Sequence, residues 1–260
     1  MADPDEGVAA DGTIRTGAHR ERVPATFEPV LTEAVAMLGE SGASLYVYGS
    51  VANGSARPGS SDVDLLSIDL ADTASLGRRL SARYVDRCRG VEVVGLTSAG
   101  LAGDSDAAYG DRVFLRHYCV HLAGPDPSAA LPAYPADVRA ARGFNGDLGQ
   151  FLWRWRQELE SGTLAPDLVG VRAARKTLLA VAGLVSAHDH TWTTSRSRGA
   201  RRWSELEPGL AAQLALLVSW ADREREPSRE EVERALADDG IVPIIVARFA
   251  SMIGLWTQPA

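Results

Sequence analysis

The residues of this chain that could do chemistry are carboxylates at a spacing typical of a β-strand. Asp62 and Asp64 are two residues apart, in the run Ser-Asp-Val-Asp-Leu at positions 61–65. Because successive side chains of a strand point to opposite faces, both carboxylates are expected on one face. Two neighbouring carboxylates repel each other unless they share a cation or a proton. The spacing predicts a metal site, and Mg²⁺ suits it because one or two carboxylates plus substrate phosphates typically hold this ion.

A turn of small residues precedes the two aspartates. Residues 45–48 are apolar, aromatic or β-branched, which predicts a buried strand that ends at Gly49 and Ser50. Eleven residues separate Ser50 from Asp62, so the chain can turn over and return as a neighbouring strand. The backbone N–H groups of Gly49 and Ser50 and the Ser50 hydroxyl are predicted to hold the phosphates of a nucleoside triphosphate, with Ser61 assisting. The alternative is an ordinary turn beside a solvated edge strand.

A third carboxylate lies in the next apolar run. Glu92 is the single acidic residue of positions 91–96, a predicted strand that follows Asp64 through one helix. Such a strand can lie beside the first one and bring Glu92 to the same metal ions. The alternative is a structural role, because a carboxylate in a buried strand needs a partner such as Arg83 or Arg87.

Composition places the chain among ordinary globular proteins: 260 residues, 45% of them hydrophobic and 23% charged. The net charge of −7 argues against a nucleic-acid partner and favours a cationic small molecule. Cys88 and Cys119 are too few for a disulfide framework, and no apolar run is long enough for a membrane span or a signal core, which predicts the cytoplasm. His117 and His121 are expected to be structural. A single lysine among many arginines indicates a GC-rich bacterial genome.

The chain is predicted to be α+β in its first half and all-α in its second. Residues 1–22 are polar without periodicity and are expected to be a disordered tail. Residues 23–130 are expected to form a mixed sheet flanked by helices, and residues 131–260 a helical bundle. Within the first half, the glycine- and aspartate-rich residues 98–112 predict a loop and residues 113–122 a strand.

Together, these motifs resemble the signature of the DNA polymerase β-type nucleotidyltransferases, whose members move a nucleoside monophosphate from a triphosphate to an acceptor. The resemblance implies that residues 23–130 form a nucleotidyltransferase domain. This domain is expected to bind two Mg²⁺ ions. The resemblance assigns Asp62, Asp64 and Glu92 to the metal ions, with Glu92 as general base. The residues that it places at the triphosphate are Gly49 and Ser50.

The second half narrows the resemblance. The order of motifs, followed by a helical half, is similar to the aminoglycoside nucleotidyltransferases that adenylate streptomycin and spectinomycin, and residues 172–208 look like their C-terminal block. Two positions depart from that family. Gly170-Val171 stand where it has an acidic residue, and Ala180 stands where it has an arginine, so the acceptor is expected to differ.

The resemblance implies an enzyme that transfers AMP from ATP to a hydroxyl of a small cationic acceptor, with an aminoglycoside antibiotic as a candidate and antibiotic resistance as its consequence. A basic residue of the helical half, Lys176, Arg172 or Arg175, is expected to reach the triphosphate when the domains close; the alternative is a solvated helix face. Two other functions stay open: transfer to a protein or RNA acceptor, as in antitoxin-like nucleotidyltransferases, and nucleotide binding without catalysis. A monomer that contacts no membrane is favoured.

Overall fold

The computed structural model describes residues 3–257 of the chain. These residues fall into two compact units, whose boundary lies between Pro135 and Ala136. The first unit combines a mixed sheet with helices and the second is built from helices, which confirms the predicted α+β fold class. Within the described range, no helix is both long enough and apolar enough to cross a membrane.

The first unit alternates short strands and helices. Its elements are β1 (Gly7–Val8), β2 (Ile14–Arg15), α1 (Glu28–Leu38), β3 (Ser44–Tyr48), α2 (Gly49–Ala52), β4 (Val63–Ile68), α3 (Thr73–Arg83), β5 (Val91–Leu96), α4 (Ser98–Leu101), α5 (Asp106–Tyr118) and β6 (Val120–Ala123). Short 3₁₀ helices occupy Arg20–Arg22, Ala25–Phe27 and Pro127–Ala130.

The main sheet places β5, β4, β3 and β6 side by side in that order. β3 runs antiparallel to both β4 and β6. β4 and β5 run parallel, because α3 carries the chain back to the end of the sheet at which β4 began. Asp72 begins α3 as its N-cap, where its carboxylate accepts a hydrogen bond from the Ser75 N–H at 2.9 Å. This crossover leaves β5 at the edge of the sheet.

Alternation along β3 and β4 builds a core on each face of the sheet. Leu45 and Val47 of β3 and Leu65 of β4 pack with residues of α1 and α3 on one face. Tyr46 and Leu66 pack with residues of α4 and α5 on the opposite face. All five side chains are almost fully buried, so the register of these strands is strongly specified by burial.

The segment between β5 and β6 differs from the prediction. α4 and α5 replace most of the loop predicted for residues 98–112 and of the strand predicted for residues 113–122. Ser105 caps α5 by accepting a hydrogen bond from the Ala108 N–H at 3.1 Å. A short apolar run such as the one beginning at Val113 is compatible with a strand or with a buried helix face, and here the cap decides for the helix.

The described part of the N-terminal segment is ordered, which corrects the disordered tail predicted for residues 1–22. β1 and β2 pair as an antiparallel hairpin. The Ile14 N–H donates to the Tyr134 carbonyl at 2.9 Å, and the Gly17 N–H donates to the Asp3 carboxylate at 2.6 Å. Hydrogen bonds of this kind hold a polar segment in place even though its composition shows no periodicity.

The two histidines of the first unit contact the backbone, in agreement with the structural role predicted for them. The Tyr134 N–H donates to Nε2 of His117 at 2.8 Å, and burial lowers the pKa of His117 to about 4. A ring nitrogen of His121 lies 3.0 Å from the Gly124 carbonyl oxygen. His117 therefore ties the last turn of α5 to the segment that closes the first unit.

The second unit packs its helices around one long central helix. Its elements are α6 (Val138–Asn145), α7 (Leu148–Ser161), α8 (Pro166–Asp189), α9 (Arg196–Leu206), α10 (Ala211–Ala221), α11 (Arg229–Leu236) and α12 (Ile241–Met252). α8 is buried along most of its length. Trp155 and Trp220 are buried in this core, whereas the Trp153 side chain is 67% exposed.

Candidate active site

The sheet brings Asp64 and Glu92 together. β4 and β5 pair in parallel with Asp64 opposite Glu92, so the two carboxylates lie on neighbouring strands and leave the same face of the sheet. That face is the one on which Tyr46 and Leu66 pack, because Asp64 alternates with the buried Leu65. The prediction was that the strand carrying the third carboxylate lies beside the Asp-x-Asp strand, and this register places Glu92 next to Asp64.

Burial and neighbouring negative charge act together on Asp64. Burial is the largest cause of a pKa raised to about 6, and the carboxylates of Asp62 and then Glu92 raise it further. The guanidinium of Arg89 acts in the opposite direction. Negative charge at Asp64 is therefore under-compensated by the protein's own residues, which is the electrostatic condition under which a bound cation is favoured.

Gly49 is required by the position of the Asp64 carboxylate. Its φ angle is +69°, in the left-handed region that favours glycine. A β-carbon added at Gly49 would lie only 2.6 Å from Oδ2 of Asp64. Tyr48 pairs with Asp64 across β3 and β4, which sets the turn directly beside the carboxylate. The Gly-Ser turn and the Asp-x-Asp strand therefore form one constellation rather than two separate motifs.

Ser50 and Ser61 lie at opposite ends of the loop that joins β3 to β4. Ser50 is in the short helix α2, and its carbonyl oxygen accepts a hydrogen bond from the Ala56 N–H at 3.0 Å. The Ser61 hydroxyl accepts a hydrogen bond from the Arg57 N–H at 2.9 Å, which closes the loop on itself. Ser61 thus has a structural task in the loop, and its assistance to a triphosphate stays a prediction.

Asp62 has a partner that the sequence reasoning missed. Arg89 donates to both carboxylate oxygens of Asp62: its Nε lies 3.0 Å from Oδ1, and its Nη2 donates to Oδ2. Backbone hydrogen bonds hold the two segments in place, from the Arg89 N–H to the Ser61 carbonyl at 3.1 Å and from the Val63 N–H to the Gly90 carbonyl at 2.9 Å. The signal in the sequence was an arginine two residues before the strand that carries the third carboxylate.

Glu92 is exposed, which corrects the premise that it sits within a buried strand. β5 is the edge strand, and its residue Val94 is also 39% exposed on the same face. The structural partners considered for Glu92 are engaged elsewhere. Arg83 lies 3.3 Å from Glu33, and Arg87 donates to a backbone carbonyl at 3.4 Å. An exposed carboxylate beside Asp64 is accessible to a ligand.

Tyr48 is a further residue of this face that the sequence reasoning did not single out. Its ring meets that of Phe114 edge to face, with 5.0 Å between the centroids. Burial raises the pKa of the Tyr48 phenol, and the charges of Asp64 and Glu92 raise it further. Tyr48 therefore stays neutral beside the carboxylates.

Lys176 lies in the second unit, where its ammonium is engaged by residues of that unit. Its Nζ is 2.7 Å from Oδ1 of Asp147 and 3.0 Å from the Phe144 carbonyl oxygen. Of the other two candidates, Arg175 donates to the Ala221 carbonyl at 3.0 Å, and Arg172 is exposed on α8. The contact of one of these residues with a triphosphate stays a prediction.

The donor set of this face fits Mg²⁺ in its chemistry. Its candidate ligands are carboxylate oxygens, and Mg²⁺ needs only one or two of these when substrate phosphates and water supply the rest. Across residues 3–257, no group of three or more histidine, cysteine, aspartate or glutamate side chains is arranged to hold a metal ion. The under-compensated charge at Asp64, with Glu92 opposite it, is the feature that a cation would complement.

Comparison with known protein families identifies the class. Residues 30–69, which run from α1 through the Gly-Ser turn to the end of β4, match the family model described as nucleotidyltransferase domain. The chain carries a nucleotidyltransferase domain and is a nucleotidyltransferase enzyme, as predicted. Asp62 and Asp64 lie within the matched residues and Glu92 lies beyond them.

Among solved structures, the chain is similar in fold to the spectinomycin adenyltransferase AAD(9) from Enterococcus faecialis, solved with ATP and spectinomycin. The two are 12% identical, the TM-score is 0.52, and the alignment covers 88% of this chain and 98% of the other. The alignment includes residues of both units, so the similarity supports the fold of each unit. No curated protein matches the chain in a sequence search.

Proposed function

We propose that this enzyme transfers AMP from ATP, in the presence of Mg²⁺, to a hydroxyl group of a small cationic acceptor such as an aminoglycoside. The observation that carries the proposal is the pairing of Asp64 with Glu92 on one face of the sheet, directly beside the turn at Gly49. A triphosphate at that turn would place its phosphates next to the carboxylates.

In the proposed reaction, the acceptor oxygen forms a bond to the α-phosphorus, the bond from that phosphorus to the β-phosphate oxygen breaks, and pyrophosphate leaves. Mg²⁺ held by Asp62, Asp64 and Glu92 would stabilise negative charge on the phosphates. Glu92, exposed at the edge strand, takes the proton of the acceptor hydroxyl. The first N–H groups of α2, at Gly49 and Ser50, lack acceptors within the helix and can bind phosphate oxygens.

Two considerations favour a small cationic acceptor. The chain has a net charge of −7, so a cation is attracted to it and a nucleic acid is repelled. The similar structure named above was solved with spectinomycin, a small-molecule ligand. The departures at Gly170-Val171 and Ala180 lie in the helical unit, so the particular acceptor is expected to differ from that of the aminoglycoside enzymes.

The proposal is tested by incubating the enzyme with Mg²⁺, each labelled nucleoside triphosphate and a panel of aminocyclitol and aminoglycoside compounds, with pyrophosphate release as the readout. Release with ATP and one acceptor class is expected. Asp64→Asn should abolish release while far-UV circular dichroism shows an intact fold. Labelling of the enzyme itself or of an added protein or RNA would move the acceptor to a macromolecule, and nucleotide binding without release would contradict catalysis.

A further inference from the structure

The Arg89–Asp62 pair is a feature of the site that the proposed reaction does not use. Both carboxylate oxygens of Asp62 accept hydrogen bonds from one guanidinium, the paired geometry that gives arginine–carboxylate contacts their directionality. The pair is accessible to solvent, since the Arg89 side chain is 61% exposed and the Asp62 side chain 35%. Contact with Asp62 raises the pKa of Arg89, so the guanidinium stays charged.

The backbone of Arg89 is held by the fold, which places its side chain next to Asp62. Arg89 lies just before β5, and its N–H is bonded to the Ser61 carbonyl next to Asp62. Gly90, between Arg89 and β5, lies next to the carboxylate: a β-carbon there would be 3.7 Å from Oδ1 of Asp62, an ordinary van der Waals contact. The backbone thus presents the guanidinium to the carboxylate at the start of two paired parallel strands.

A cation and a guanidinium compete for the same carboxylate. Asp62 offers two oxygens, and both are engaged by Arg89. A divalent ion at Asp62 would also meet the repulsion of the nearby guanidinium, whose charge extends far enough to act on Asp64. Arg89 can withdraw toward solvent because its side chain is mostly exposed, so release of Asp62 does not require the fold to open.

We propose that Arg89 is a built-in counter-ion that holds Asp62 when no metal is bound and competes with the divalent cation for it. This inference rests on the proposed function, because it takes Asp62 and Asp64 as cation ligands. Arg89 is a regulatory residue in this scheme and not a catalytic one. It sets the cation concentration at which the site is loaded.

The test is Mn²⁺ binding to the full chain without nucleotide, measured by electron paramagnetic resonance of free Mn²⁺ and by calorimetry. Arg89→Gln should bind Mn²⁺ about fivefold more tightly than the wild type, the order expected when a partly exposed ion pair is removed as competitor. Arg87→Gln is the matched control. Arg87 carries the same charge, lies two residues from Arg89, and its side chain donates to a backbone carbonyl instead of to Asp62. The affinity of Arg87→Gln should equal that of the wild type.

Unchanged or weaker Mn²⁺ binding in Arg89→Gln would overturn the inference, and so would equal tightening in Arg87→Gln. In an Asp62→Asn background, the effect of Arg89→Gln should be much smaller, since the carboxylate for which the two cations compete is gone and only the longer-range repulsion by the guanidinium is left to remove. Failure of the proposed function has a different signature: Asp64→Asn would then bind Mn²⁺ as the wild type does. Thermal unfolding without metal provides a check on folding for each variant.

Discussion

Replacing Gly49 with alanine tests whether the Gly-Ser turn and the Asp64 carboxylate act as one unit. An added β-carbon would lie 2.6 Å from Oδ2 of Asp64, so the carboxylate must shift by about 1 Å to reach an ordinary contact. A misplacement of that size near reacting groups costs about 100-fold in rate. Alanine at a φ of +69° costs about 1 kcal/mol in folding free energy.

Gly59→Ala is the matched control for Gly49→Ala. Gly59 lies in the same loop with a φ of +72°, and a β-carbon there meets nothing within 4 Å. Both variants should therefore lose about 1 kcal/mol in urea unfolding, because the carboxylate that blocks Gly49 is the far end of a side chain and can move. Only Gly49→Ala should lose about 100-fold in pyrophosphate release and bind Mn²⁺ more weakly.

If Gly49→Ala releases pyrophosphate as fast as Gly59→Ala while its stability falls by the same amount, the position of Asp64 beside the turn does not matter for transfer. If Gly49→Ala instead fails to fold, the double variant Gly49→Ala with Asp64→Ala removes the carboxylate that the new β-carbon meets. Recovery of the fold would assign the failure to that contact, and no recovery would assign it to the backbone at a φ of +69°.

Two further predictions concern stability. His117 is partly buried, and its pKa is lowered from 6.5 to about 4. The stability that the neutral ring contributes is therefore full above pH 6.5 and is lost as the pH falls toward 4, by about 3 kcal/mol. The pH profile of urea unfolding for His117→Gln should lack this loss relative to the wild type. Lys176→Met should cost about 3 kcal/mol by leaving the buried Asp147 carboxylate unpaired, and Asp147→Leu in the same chain should recover most of it. A Lys176→Met variant that keeps its stability but binds ATP more weakly would instead assign Lys176 to the nucleotide.

Local sequence was sufficient for the elements that carry the chemistry. The strand before Gly49, the strand that begins after Asp62 and the strand that holds Glu92 were all predicted within one or two residues, because each is a short apolar run bounded by turn residues. The prediction for the region between β5 and β6 was wrong. There, a three-residue apolar run fits either a strand or a helix, and the choice depends on the cap at Ser105 and on burial against the sheet.

The motif at positions 49–64 needed only sequence to indicate its chemistry, since residue type and a spacing of two are local properties of the chain. What the residues touch was decided by the tertiary structure. The parallel register places Glu92 opposite Asp64, the edge position exposes Glu92 to solvent, and the return of the chain before β5 sets Arg89 on Asp62. The physical reason is that strand order and register come from burying the two faces of the sheet, which depends on residues far apart in the chain.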